Sequence, residues 1–120
     1  MKKEINILLA ALLLAGACAS SKDGFKDDSS VKEFKITARQ FSFEPETIEV
    51  NKGDKVRLIV TSLDIPHGIA ITEYGINKRF TPGKPATVEF IADKEGNFSA
   101  YCSVACGRGH RNMKGRLIVK

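Results

Sequence analysis

From Val31 onward the pattern is that of short β-strands, with alternating apolar residues in several runs, and no stretch keeps a helical period for three turns. Phe34-Lys35-Ile36 alternates, as does Thr47-Ile48-Glu49-Val50 after Pro45. Beyond the turn cluster Asn51-Lys52-Gly53-Asp54, Val56, Leu58 and Val60 point to one face. Further strands are predicted at 68–72, 86–92, 97–101 and 116–119, with Pro82-Gly83 and Lys94-Glu95-Gly96 punctuating between them. A period of two sends successive side chains to opposite faces, so each strand has one face to bury and needs a second sheet to bury it against. Short, regularly spaced strands in a chain of 120 residues predict one all-β domain over 31–120, a small β-sandwich or barrel without internal repeats.

The residues before that segment are of another kind. Met1-Lys2-Lys3 is a positive start, and positions 5–17 are apolar apart from Asn6. That run is shorter than the about 20 residues needed to span a bilayer and reads as a signal-peptide core. It ends in Leu14-Ala15-Gly16-Ala17-Cys18, small residues directly before a Cys, as in bacterial lipoprotein signals. Residues 1–17 are therefore expected to be removed and Cys18 to become the lipidated first residue. The alternative is plain secretion, with Cys18 in or near the cleaved segment. Residues 18–30 are polar and rich in Ser, Asp and Gly, with too little apolar surface to pack, and read as a flexible tether.

Charge narrows the function classes. A content of 28% charged residues excludes a membrane bundle. The excess of 19 basic over 14 acidic residues gives +5, which suits steering toward an acidic partner but is too small to argue for nucleic acid.

The chemistry lies in the stretch Tyr101-Cys102-Ser103-Val104-Ala105-Cys106-Gly107-Arg108-Gly109-His110-Arg111-Asn112-Met113, between the last two predicted strands. Its spacing is C-x3-C-x3-H-x2-M, and Gly107 and Gly109 permit the tight turns that fold such spacings around a point. Two thiolates, an imidazole and a thioether make a soft donor set, which selects copper over magnesium or calcium. His67, in Asp64-Ile65-Pro66-His67-Gly68, is a fifth candidate at the start of a predicted strand, on a loop that a sandwich can bring to the same end. A mononuclear blue-copper site uses one Cys, two His and an axial Met, so this sequence has a Cys to spare. Two bridging thiolates would balance two Cu(I) ions and leave a single charge to bury on oxidation. In an exported chain the bland alternative is a Cys102–Cys106 disulfide, which needs no His or Met at fixed offsets. Zinc fits less well, because Met is a poor zinc ligand.

At this point the region 31–120 resembles the cupredoxin domain of cytochrome c oxidase subunit II, which holds the binuclear CuA centre. The resemblance rests on Cys102-x3-Cys106-Gly107-x2-His110-x2-Met113, on Asp64-x2-His67, and on Pro45-x-Thr47-Ile48-x-Val50-x2-Gly53. Gly107 through Gly115 is similar to the short bacterial ba3-type subunits. The resemblance implies a cupredoxin-like Greek-key fold and two copper ions bridged by Cys102 and Cys106. It also implies that His67 and Met113 complete one copper, and His110 with the Val104 backbone carbonyl the other.

Three departures accompany the resemblance. Val104 stands where many oxidase subunits have a Glu that also reaches a magnesium site. Trp, often the entry point for electrons from cytochrome c, is absent, and the usual transmembrane hairpin has no counterpart, so lipid on Cys18 is the expected anchor. The resulting expectation is an exported respiratory electron-transfer protein at the outer face of a bacterial membrane or in the periplasm. It would exchange single electrons with a c-type cytochrome or a terminal oxidase or reductase, as a subunit II-like component, without catalysis by this chain alone. A second reading, a periplasmic copper carrier or copper sensor on the same fold, stays open. Sco-type copper-delivery proteins also use C-x3-C, but they are thioredoxin-like, with helices, a Pro after the second Cys and the His downstream. Arg108, Arg111, Lys114 and Arg116 form a basic rim around His110, as a docking surface or as plain solvation.

Overall fold

The computed structural model describes residues 30–120, and these form two packed sheets. In chain order the strands are β1 (Val31–Arg39), β2 (Ser42–Glu44), β3 (Thr47–Val50), β4 (Lys55–Ser62), β5 (His67–Ile71), β6 (Ile76–Phe80), β7 (Ala86–Ile91), β8 (Gly96–Tyr101) and β9 (Lys114–Val119). One sheet has the order β2-β1-β4-β7 and the other β3-β9-β8-β5-β6. The chain passes from sheet to sheet at the β2–β3, β3–β4, β4–β5, β6–β7 and β7–β8 connections. The β1–β4 and β3–β9 pairs are parallel and the remaining pairs antiparallel. The expected all-β sandwich is the observed architecture, and within 31–120 the helical pieces are 3-10 turns at Thr72–Tyr74 and His110–Asn112. No helix among the described residues is long and apolar enough to cross a membrane.

The alternation read from the sequence is what fills the space between the sheets. Along β4, Val56, Leu58 and Val60 are buried while Arg57, Ile59 and Thr61 are half-exposed. They meet Ile36 and Ala38 of β1, Ile48 and Val50 of β3, Val88 and Phe90 of β7 and Leu117 and Val119 of β9 in one core. Each fully buried branched or aromatic side chain contributes about 1.5–3 kcal/mol relative to leaving it in water. Β5 differs: all five of its residues are buried, as expected of a strand covered on both faces.

Two strands escaped the sequence reading. Β2 is three residues long with only Phe43 inward, too short for a period to register. Β6 (INKRF) buries only its two end residues, because it is a sheet edge and Asn77, Lys78 and Arg79 all face water. Charged side chains on an edge strand also discourage pairing with another chain.

The register decides where the ligand-bearing loops meet. Ala38 of β1 lies beside Ser62 of β4, His67 of β5 opposite Phe80 of β6, Val60 of β4 opposite Ala86 of β7, and Tyr101 of β8 opposite Lys114 of β9. Segments 39–41, 63–66, 81–85 and 102–113 therefore share one end of the sandwich.

Candidate metal centre

The loop 102–113 is closed at its base and braced along its length. The Cys102 N–H donates to the Met113 carbonyl at 3.1 Å, extending the β8–β9 ladder by one bond. The His110–Asn112 turn is held by Met113 N–H to the His110 carbonyl at 3.2 Å, and the His110 N–H donates to the Gly107 carbonyl at 3.2 Å. Gly107 has φ +137, a region closed to residues with a Cβ, and a Cβ there or at Gly109 would also run into the Phe41 ring. The two glycines thus let the loop lie flat against Phe41.

The second ligand-bearing element is the start of β5. Ser62 Oγ accepts from the Asp64 N–H at 3.2 Å and donates to the Ile65 carbonyl, shaping the turn that aims Asp64 at His67. Asp64 Oδ1 is 2.8 Å from His67 Nε2, and the Asp64 carboxylate also accepts from the Gln40 N–H at 2.8 Å and the Ile65 N–H at 2.7 Å. Partial burial pushes the Asp64 carboxyl up, but these N–H bonds and the His67 ring outweigh it and hold the group below the usual carboxylate range. An ionised Asp64 can only accept, so Nε2 of the neutral ring carries the hydrogen and Nδ1 keeps a free lone pair. That nitrogen faces the sulfurs. Gly68 completes the placement, since a Cβ on it would collide with Ser103 Oγ and lie 3.0 Å from Val104 Cγ2.

Around this point the donors converge. Cys102 Sγ is 3.5 Å from Cys106 Sγ, far beyond the about 2.05 Å of a disulfide, and both cysteines are free and buried. Beside Cys102 stand His67 Nδ1 at 3.9 Å and the Val104 carbonyl oxygen at 3.1 Å. Beside Cys106 stand His110 Nδ1 at 3.8 Å and Met113 Sδ at 3.7 Å. The ligand atoms of His67, Cys102 and Cys106 all lie within 4.8 Å of one another. His67 and Met113 are fully enclosed, and His110 is the one of the five side chains that reaches solvent.

The electrostatics are those of a site built around a partner of opposite charge. Burial, and then the neighbouring Cys102, push the Cys106 thiol up to about 11. The protein alone therefore favours the neutral Cys106 thiol, and a cation beside the sulfurs would favour its deprotonation. The donor set is two thiols, two imidazoles, a thioether and a carbonyl, mostly buried and free of carboxylates. It fits a soft transition-metal ion such as copper and does not fit magnesium or calcium.

All six expected site residues, His67, Cys102, Val104, Cys106, His110 and Met113, thus fall in one cluster. Cys18, the leader 1–17 and nearly all of the tether 18–30 lie outside the described residues. Of the expected rim, Arg108, Arg111 and Lys114 are exposed at this end, whereas Arg116 bonds Asn97 at 3.3 Å on the outer face of the β8–β9 ladder. Sequence reasoning missed Gln40, whose Nε2 donates to the Cys106 carbonyl at 2.7 Å while its backbone N–H holds Asp64. It also missed Phe41 and Ser62. Gln40 and Phe41 lie in a turn between β1 and the unrecognised β2, and Ser62 ends β4, positions that carried no signal for these roles.

A mixed two-sheet sandwich with a soft-donor cluster at one end defines a class, and the chain belongs to it: residues 7–119 match the cupredoxin-like domain family. It is similar to the nitrous-oxide reductase of Cupriavidus necator, 40% identical over 90 residues, covering 72% of this chain and 14% of that protein. It is also similar to cytochrome c oxidase subunit 2 of Thermus thermophilus, 34% identical over 85 residues, covering 71% of this chain and 63% of that subunit. The chain thus spans less than two thirds of the length of either relative. The fold is shared with the periplasmic domain of subunit II of cytochrome oxidase from Bradyrhizobium japonicum, with TM-score 0.67 and 23% identity, covering 73% of this chain and 83% of that one.

Proposed function

We propose that this chain is an exported electron-transfer protein that holds two copper ions in a binuclear, CuA-type centre. It would serve a respiratory chain as a counterpart of oxidase subunit II or of the corresponding part of a nitrous-oxide reductase. The observation that carries the proposal is the pair of buried thiols 3.5 Å apart, each flanked by one imidazole nitrogen and one further donor. In this reading Cys102 and Cys106 would serve both ions, with His67 and Met113 completing one set and His110 with the Val104 carbonyl the other. Copper so held would supply reversible one-electron chemistry.

The chain's own residues contribute order and exclusion. Asp64 fixes the tautomer and orientation of His67, and ligand orientation set from behind in this way tunes affinity and potential. The core packed around Met113, with Phe80 beside the His67 ring at a centroid distance of 6.1 Å, keeps water from all but the His110 side. A dry, preformed donor set needs little rearrangement when charge changes by one unit. The reading extends to residues 1–30 as expected above, a removed leader and a lipid on Cys18 that anchors the domain at the outer face of a membrane through a tether. The partners would be a c-type cytochrome on one side and a terminal oxidase or reductase on the other.

Copper titration followed by electron paramagnetic resonance tests the proposal. One unpaired electron shared by two copper nuclei gives a seven-line hyperfine pattern at two coppers per chain. A four-line pattern at one copper per chain would refute the binuclear centre, and weak binding of a single exchangeable Cu(I) would favour copper carriage.

A further inference from the structure

We propose that the ligand end of the sandwich is a docking surface for a redox protein whose contact face is acidic. This deepens the electron-transfer reading and rests on it for the identity of the site. Arg39 at the end of β1, Arg79 near the end of β6, Lys84 in the β6–β7 turn, Arg108 and Arg111 in the cysteine loop, and Lys114 at the start of β9 are all exposed. Among the described residues none of the six has a side-chain hydrogen bond or a carboxylate partner.

Elsewhere on the molecule the cations are often matched. Lys32 pairs with Asp54 at 2.8 Å, Arg57 with Glu89 at 2.7 Å, Lys120 with Glu49 at 3.2 Å and Lys94 with Asp93 at 3.8 Å. The one acid in the loops of the ligand end is Asp64, whose carboxylate is already taken by Gln40, Ile65 and His67. Glu44 and Glu46 lie along the flank, level with Thr37 and Arg116. The modest net charge of the chain is thus concentrated as unmatched positive charge around one end.

Two further observations select a protein as the occupant. Leu63, 62% exposed, sits in the loop that leads to His67 and gives the basic ring an apolar member. His110, the solvent-reaching ligand candidate, shares a shallow groove with Tyr101, Arg111 and Lys114, so a partner seated on the ring touches the edge of the donor cluster. The exchange moves one electron, the donor oxidised and the acceptor reduced, with no bond made or broken. Uncompensated charge of one sign around such an entrance raises encounter rates with an opposite surface by about 10- to 1,000-fold and suppresses like-charged partners.

The test uses a basic c-type cytochrome and the same cytochrome with its lysines succinylated, which makes its surface acidic. Titrated into nitrogen-15-labelled, metal-free protein, the succinylated form should shift amides at 39–41, 63–66, 79–85 and 107–114, and the unmodified form should not. With the copper-loaded protein, stopped-flow exchange should be faster with the succinylated cytochrome and should slow as the screening length falls from about 30 Å at 0.01 M salt to about 8 Å at 0.15 M. The double variant Arg108→Glu, Arg111→Glu should react on the order of tenfold more slowly at low salt, with an unchanged copper spectrum showing that the site is intact. Shifts on another face, faster exchange with the basic form, or rates indifferent to salt and to the double reversal would overturn the proposal. Tight binding to phosphatidylglycerol vesicles at the same salt, competing with the cytochrome, would overturn it in favour of a membrane surface. The expected shifts together with no electron exchange, even with a small reductant, would leave the docking surface standing and sink the electron-transfer reading.

Discussion

Gln40 offers the sharpest test of how the site is held. Its two hydrogen bonds reach both ligand-bearing elements, through Asp64 to His67 and through the carbonyl of Cys106 itself. Gln40→Ala removes only the 2.7 Å side-chain bond, because the backbone N–H stays on Asp64. The net worth of such a bond is about 0.5–1.5 kcal/mol. For a domain of this size 1 kcal/mol lowers the melting temperature by about 4–8 °C. If the freed loop must be reordered when copper binds, the same energy appears as a roughly fivefold loss of affinity, since 1.4 kcal/mol is about tenfold. Gln40→Glu is the stricter variant, keeping the shape while setting a carboxylate against a carbonyl oxygen, and should cost more than Ala. Thermal unfolding of the metal-free protein and competition with a Cu(I) chelator measure the two effects. Equal melting temperatures and copper affinities for wild type, Ala and Glu would show that the clasp carries no load. An Ala variant worse than Glu would show that Gln40 acts by packing and not by donation.

Other substitutions probe separate parts of the structure. Cys106→Ser removes one of the paired sulfurs and leaves one Cys with two His and Met113, a mononuclear set, so the expected seven-line pattern should give way to four lines; an unchanged spectrum would exclude Cys106 as a ligand. Gly68→Ala places a methyl against Ser103 and Val104 and should displace the cysteine loop, costing about 1–3 kcal/mol and most of the copper binding, whereas full binding with native stability would refute the close approach. Lys32, then the Asn51 N–H, hold the Asp54 carboxyl below its usual range. Its stabilising contribution is therefore complete above the unfolded-state pKa and lost as pH falls through the folded one. Asp54→Asn should lower the melting temperature at neutral pH and flatten its fall between about pH 5 and pH 2, and identical pH profiles would refute the linkage.

What the sequence disclosed follows from where each side chain sits. The core strands were legible because each has one wet and one dry face, as in Val56, Leu58 and Val60 against Arg57, Ile59 and Thr61. Β6 was not, because an edge strand with three consecutive exposed residues has no dry face to announce it. Five of the donors could be found because their chemistry is uncommon and four of them crowd one loop, with His67 marked by Asp64 three residues before it; the Val104 carbonyl, which any residue could offer, came only from the resemblance. Gln40 and Phe41 are common residues whose roles exist only across the fold, at sequence separations that leave no local pattern, whereas Ser62 acts locally on Asp64 and Ile65 through a common turn bond that names no function. The meeting of Gln40 with Cys106 spans 66 residues and depends on the register of β1 beside β4.

That dependence ties the donor cluster to the stability of the whole sandwich. His67 and the cysteine loop belong to β5, β8 and β9 of one sheet, while Gln40 and Phe41 enter from β1 and β2 of the other. Met113 is at once a donor beside Cys106 and a fully buried member of the core. Loosening the contact between the sheets must therefore loosen the cluster, and the donors cannot drift apart without opening apolar surface to water. Burial also raises the cost of ionising Cys106 without a cation, so a metal bound there and the core would stabilise each other. The basic rim stands outside this coupling. Arg108, Arg111 and Lys114 are exposed and, among the described residues, have no carboxylate partner, so reversing their charges should cost the fold little.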